Sequence, residues 1–207
     1  MKKNAHLYYL LIFSYILAVA GCQQPVSESV NKQIDYGKLN PDAPKETIQL
    51  GQLVGEWQCL SKDLVTIKPD SSVWYENDAT WTWEYTLGGH ALINHWWQED
   101  NSPTARTAEY FAAGIFIVNP ETHLWEAVVM NSRPHKLSPK FEMEYIDQTL
   151  QMHDGTGQWL VTFYDIGEQS FEWKYELIDE QGHRKTISRI SAQRTSSFTS
   201  DNSRAID

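Results

Sequence analysis

Seven histidines, two cysteines and 27 acidic residues are this chain's material for metal binding or catalysis. Beyond the amino-terminal run the histidines are His90, His95, His123, His135, His153 and His183. A zinc ion needs several ligands converging at about 2.0–2.2 Å. His90 and His95 are an odd number of positions apart, so on a regular strand they point to opposite faces and cannot share an ion. No HExxH motif or paired-carboxylate spacing is present, and no metal site is expected. Ser132 and His135 lie on Asn131-Ser132-Arg133-Pro134-His135-Lys136, where their spacing does not define a nucleophile and its base. There is no Gly-x-Ser-x-Gly turn, phosphate-cradling loop or dinucleotide fingerprint, so no catalytic residue is assigned. That same stretch is the most basic in an acidic chain. Arg133 and His135 fit a loop at a cavity mouth that receives an anionic head group; simple solvation is the commoner role of such a loop.

The aromatic residues carry more information. Trp81, Trp83, Tyr85 and Leu87 alternate with Thr80, Thr82, Glu84 and Thr86. Phe141, Met143 and Tyr145 alternate with two glutamates, and Phe171, Trp173, Tyr175 and Leu177 alternate with Glu172, Lys174 and Glu176. A wall built from Trp81, Trp83, Tyr85, Phe141, Met143, Tyr145 and Trp173 would hold one small hydrophobic ligand. The same side chains meeting in the middle would leave no cavity, and the pattern leaves both outcomes open. Trp96 and Trp97 are adjacent, so one of them must face outward.

Period-two alternation of this kind is the mark of half-buried strands. It recurs from Ile48 to Arg194, the span of one domain. Gly88-Gly89 supplies the positive φ angles of a tight hairpin. Asn119-Pro120, Asp154-Gly155, Ile166-Gly167 and the stretch from Asp179 to Gly182 mark further turns. No convincing amphipathic helix interrupts them. Short connections predict an all-β, single antiparallel meander of about 8–10 strands. Its edges are best protected by closure into a barrel.

Leu53-Val54-Gly55-Glu56-Trp57 enters the first of these strands with a Gly-x-Trp. The Trp-x-Trp-x-Tyr run follows, then Leu-Gly-Gly-His, a long aromatic strand, and a last strand ending in Ile187-Ser188-Arg189-Ile190-Ser191-Ala192-Gln193-Arg194. In this order the chain resembles calycin-like (lipocalin-like) β-barrel domains of bacterial secreted and lipid-anchored proteins. The resemblance implies that Trp57 plugs one barrel end and that an arginine, Arg189 or Arg194, packs across it. The second and third lipocalin motifs are not recognisable, and the resemblance carries no activity with it. Barrels similar to this one are known to hold a haem through one histidine; here His90, His95 or His123 would have to serve. No cofactor is otherwise expected.

The ends of the chain bear on location. Lys2 and Lys3 precede an apolar run from Leu7 to Val19, shorter than the roughly 20 residues of a bilayer-spanning helix. This is the pattern of a secretory signal over residues 1–21. Val19-Ala20-Gly21-Cys22 resembles a bacterial lipobox, which implies acylation of Cys22 and a lipid bilayer as its first partner. Gln23 in the next position implies the outer membrane, with the domain facing the periplasm. Residues 22–47 are polar and proline-containing and read as a flexible tether, and residues 195–207 as a disordered tail. With Cys22 lipidated, Cys59 has no disulfide partner. A formal net charge of −10 argues against nucleic acid as a partner, and no protein partner is indicated.

The expectation is therefore a membrane-anchored envelope lipoprotein whose barrel binds a small apolar or amphipathic ligand. One alternative is a barrel isomerase or hydrolase acting on a lipid-like or aromatic substrate, which needs Glu84, His90, His95 or Asp165 aimed inward. Another is a structural or interaction lipoprotein with a filled barrel.

Overall fold

The computed structural model describes residues 36–105, 107–133, 136–153 and 155–195. The signal segment, Cys22, the first part of the tether, His135 and residues 196–207 lie outside the described residues. Eleven strands follow one another: β1 (Gly55–Lys68), β2 (Ser71–Thr86), β3 (Ala91–Glu99), β4 (Glu109–Val118), β5 (Trp125–Asn131), β6 (Lys136–Leu137), β7 (Phe141–Ile146), β8 (Thr149–His153), β9 (Trp159–Tyr164), β10 (Ser170–Ile178) and β11 (Arg184–Arg194). Every pairing between them is antiparallel. The two-residue β6 hangs on the end of β5, while β4 pairs with β5 and β1 with β11, which closes the other ten strands into a ring. The domain is a closed, ten-stranded antiparallel meander barrel.

The alternation has its expected cause. In β2, Ala79, Trp81 and Trp83 are buried, and the threonines between them are only partly so. In β3 the buried set includes Leu92, Asn94, Trp96 and Gln98. The turn between β2 and β3 holds Leu87, Gly88 and Gly89 at φ of 51°, 65° and 91°. That left-handed run is strained for leucine and easy for glycine. Alternation fails past Tyr175 in β10, where the register with β11 shifts. Leu177, expected on the face of Phe171, is exposed, and Glu176 is buried. A bulge of this kind re-aims the side chains beside it.

The packed domain also begins earlier than composition suggests. Tyr36 is buried, and its carbonyl accepts the Tyr85 N–H at 2.8 Å. The Asn40 N–H reaches the Gly89 carbonyl at 3.1 Å, so residues 36–40 run along the β2–β3 turn. A side chain at Gly89 would collide with the backbone of Lys38 and Asn40. A short helix α1 (Thr47–Gly51) follows, with Thr47 and Leu50 fully buried. Residues 36–47, assigned to the tether from their polarity, therefore belong to the fold: one aromatic anchor and backbone pairing outweigh a polar, proline-containing composition. Thr195 likewise joins the domain, its N–H on the Glu56 carbonyl at 3.0 Å. Among the described residues no helix is long and apolar enough to cross a membrane.

Candidate functional site

The two ends of the barrel differ. At one end Trp57 is completely buried and donates its indole N–H to the Leu53 carbonyl at 2.7 Å. The Arg194 guanidinium lies 4.0 Å above the Trp57 ring. Its nitrogens donate to the carbonyls of Val54 (2.6 Å), Gln52 (2.9 Å) and Glu168 (2.6 Å). One rigid fork thus ties the first strand, the residues before it and the β9–β10 turn together. Arg189, the other arginine expected there, lies 5.6 Å over Trp74. Phe171 meets Trp57 edge-on at 4.7 Å. Trp83, Leu92, Met143 and Leu150, all at zero exposure, fill this half, and the Trp125 indole N–H donates to Gln49 Oε1 on α1 at 3.1 Å. Cys59 belongs to the same packing, and burial pushes its thiol up to about 12, which makes it inert.

The other half is hollow. A cavity of about 560 Å³ opens there, within the range of small-molecule sites. Its aromatic wall includes Trp81, Trp96, Phe116, Phe163, Trp173 and Tyr175, with Tyr110 beside them. Trp81 stands at the centre, 5.0 Å from Trp96, 5.6 Å from Phe163 and 6.3 Å from Trp173. It also touches Trp83 at 5.4 Å, so one face of β2 passes from filled floor to cavity wall within two residues. A solid barrel does not describe this half.

Polar groups stand in the apolar wall. Asp63 accepts hydrogen bonds from Ser188 Oγ (2.6 Å) on Oδ1 and from Gln98 Nε2 (2.9 Å) and Ser61 Oγ (3.2 Å) on Oδ2. The Trp96 indole N–H donates to Gln98 Oε1 at 3.2 Å. Because that indole can only donate, it turns the Gln98 amide so that its N–H faces Asp63. At the rim Arg133 pairs with Asp100 and lies 4.6 Å over the Tyr110 ring. The Asn101 N–H bonds Asn77 Oδ1 at 3.0 Å, fixing the loop between β3 and β4 beside the opening. Burial raises the Tyr110 phenol above its usual range; Arg133 opposes this and Asp63 adds to it.

Of the seven expected wall residues, Trp81 and Trp173 line the cavity. Trp83 and Met143 lie in the filled half, and Tyr85 presses against Gly51. Phe141 sits edge-on to Trp159 at 5.1 Å, and Tyr145 is about one-third exposed, at 37%. Arg133 lines the rim, engaged with Asp100. Trp97 is the outward member of its pair and donates to Glu109 at 3.0 Å. Glu84 and His95 face each other at 3.8 Å, and His123 faces Glu46 at 3.2 Å. None of Glu84, His90, His95, His123 or Asp165 lines the cavity, so these residues offer neither a general base nor an axial haem ligand to it. Sequence reasoning missed Ser61, Asp63, Asn77, Asn94, Gln98 and Ser188. The signal was present for two of them, since Ser61 and Asp63 continue the inward parity of Trp57 and Cys59.

Fold and site together define a ten-stranded antiparallel meander barrel, packed shut at one end and holding an aromatic-walled, hydrogen-bonding cavity at the other. No family model matches the chain, and no curated protein matches it. Among solved structures it is similar to the S-type phycobiliprotein lyase CPES from Guillardia theta. That similarity has a TM-score of 0.46 and 10% identity, over 73% of this chain and 98% of the lyase. It is also similar to Rv2717c from M. tuberculosis, with a TM-score of 0.49 and 10% identity over 74% of this chain and 99% of that one.

Proposed function

We propose that this protein binds one small amphipathic molecule in its barrel and does not transform it, while tethered to the outer membrane through an acylated Cys22. The observation that carries the binding reading is the division of the interior. The closed end is packed to zero exposure, yet the same barrel leaves about 560 Å³ open at the other end. Leaving that much apolar wall uncovered forfeits contacts the fold would otherwise gain, and a ligand restores them. Its apolar body would lie against Trp81, Phe163 and Trp173, with its polar end towards Asp63 and the rim. The tether reading rests on the leader, the small residues before Cys22 and the acidic chain that follows.

Both parts are open to test. The non-acylated Cys22→Ser protein, purified gently, should show a small-molecule mass in native mass spectrometry that denaturation removes. After stripping, it should enhance the fluorescence of the neutral dye N-phenylnaphthylamine in a saturable way. The absence of both a bound mass and a dye response would end the binding reading. In cell fractionation the wild type should sediment with outer membranes and Cys22→Ser should be released as soluble protein. A wild-type chain found soluble, or a variant still membrane-bound, would end the anchoring reading.

A further inference from the structure

We propose that the cavity selects an organic cation, a ligand whose polar end is an ammonium or another protonated nitrogen group held between Asp63 and the aromatic wall. This rests on the ligand-binding reading and names the chemical class it takes. Two carboxylates line the cavity, Asp63 and Asp100, and Asp100 is paired with Arg133. Among the described residues no cation lies within ion-pair distance of Asp63. Its three partners are the neutral donors Ser61, Gln98 and Ser188. A carboxylate has about four acceptor sites. Oδ2 receives two hydrogen bonds and Oδ1 one, which leaves an acceptor site on Oδ1 for a ligand N–H. An N–H from a cation makes the shorter, stronger bond there.

The wall favours the same sign of charge. Trp81, Trp96 and Trp173 meet at near-perpendicular angles of 80° and 81° about Trp81. The negative faces of such rings attract cations, more strongly where water is excluded. Trp96 is also joined to Asp63 through Gln98, so ring and carboxylate are parts of one hydrogen-bonded unit. An anionic head group would meet that carboxylate. The Arg133 cation, which suggested an anion when only the sequence was in view, is occupied by Asp100 and the Tyr110 ring. The net charge of −10 draws cations towards the opening rather than away from it.

The test is a matched series with one apolar body, phenylbutylammonium, phenylbutanol and phenylbutyrate, titrated into stripped Cys22→Ser protein by calorimetry and tryptophan fluorescence. The ammonium should bind about tenfold more tightly than the alcohol, and the carboxylate most weakly. Added salt should weaken the ammonium and leave the alcohol unmoved. Asp63→Asn in the same background should remove the ammonium's advantage over the alcohol. The salt response of the unmutated cavity decides the matter even if that variant folds poorly. Equal affinities, or phenylbutyrate the tightest, would overturn the cation assignment and leave the cavity reading standing. Failure of all three to bind would overturn the cation assignment, and with the dye response also absent it would overturn the cavity reading too.

Discussion

Trp57→Ala is expected to destabilise the domain by about 3–5 kcal/mol, the range for truncating a buried tryptophan or phenylalanine. The ring is fully buried, packs on Phe171 and Arg194, and satisfies the Leu53 carbonyl. Truncation leaves a cavity between α1 and the barrel and strips the guanidinium of the surface on which it lies. A domain of this size has about 5–15 kcal/mol in total, so the loss would take about a fifth of it or more. Urea denaturation should report a lower midpoint at unchanged slope. Arg194→Lys keeps the charge but loses the fork to Val54, Gln52 and Glu168, and should lie between wild type and Trp57→Ala. A loss below about 1 kcal/mol for Trp57→Ala would mean that the closed end is not what holds the ring together.

Ala112→Trp is expected to abolish ligand binding without unfolding the protein. Ala112 stands on β4 between Tyr110 and Phe116, and all three line the cavity. An indole built there projects into open volume, so it occupies the ligand's space and meets few packed atoms. Overpacking costs about 1–3 kcal/mol where a core is already full; here the melting temperature should hold steady or rise. The dye response and the co-purifying mass should both fall by at least about tenfold, a loss of roughly 1.4 kcal/mol or more. Unchanged dye binding would place the site outside the barrel. The outer groove beside Trp97, Phe111, Met130 and Leu137 would then be the surface to test.

Much of this fold was legible because alternation and turn chemistry are local. Trp81 and Trp83 read as inward, Gly88-Gly89 as a turn, and Arg194 as one of two candidates to cover Trp57, all from neighbours in the chain. The site was harder to see, for reasons that are also physical. Period-two patterning says which way a side chain points, but not how far the opposite wall lies. Trp81 and Trp83 therefore look alike in sequence while one lines the cavity and the other fills the floor. The hydrogen-bonding residues were hidden by the habit of treating inward positions as apolar. Ser61, Asp63 and Gln98 keep the inward parity and break the hydrophobic rule, and their partners come from strands far away in sequence. Tyr36 was missed because a single aromatic in a polar segment carries no periodicity at all. Leu177 was misplaced because a bulge depends on the partner strand, which the residue's own neighbours do not reveal.

Closure of the ring between β1 and β11 sets an order of events in folding. Trp57 is opposite Arg194 in that ladder, whereas the other pairings join strands that are successive or nearly so in the chain. The local hairpins can form early, each at small cost in loop entropy, while the final seam must bring together residues separated by most of the domain. A chain halted before β11 would present two bare strand edges, on β1 and β10, together with an uncovered Trp57. The residue that covers Trp57 is therefore the last of the ring to be synthesised, and the barrel cannot complete its core on the ribosome ahead of its own final strand.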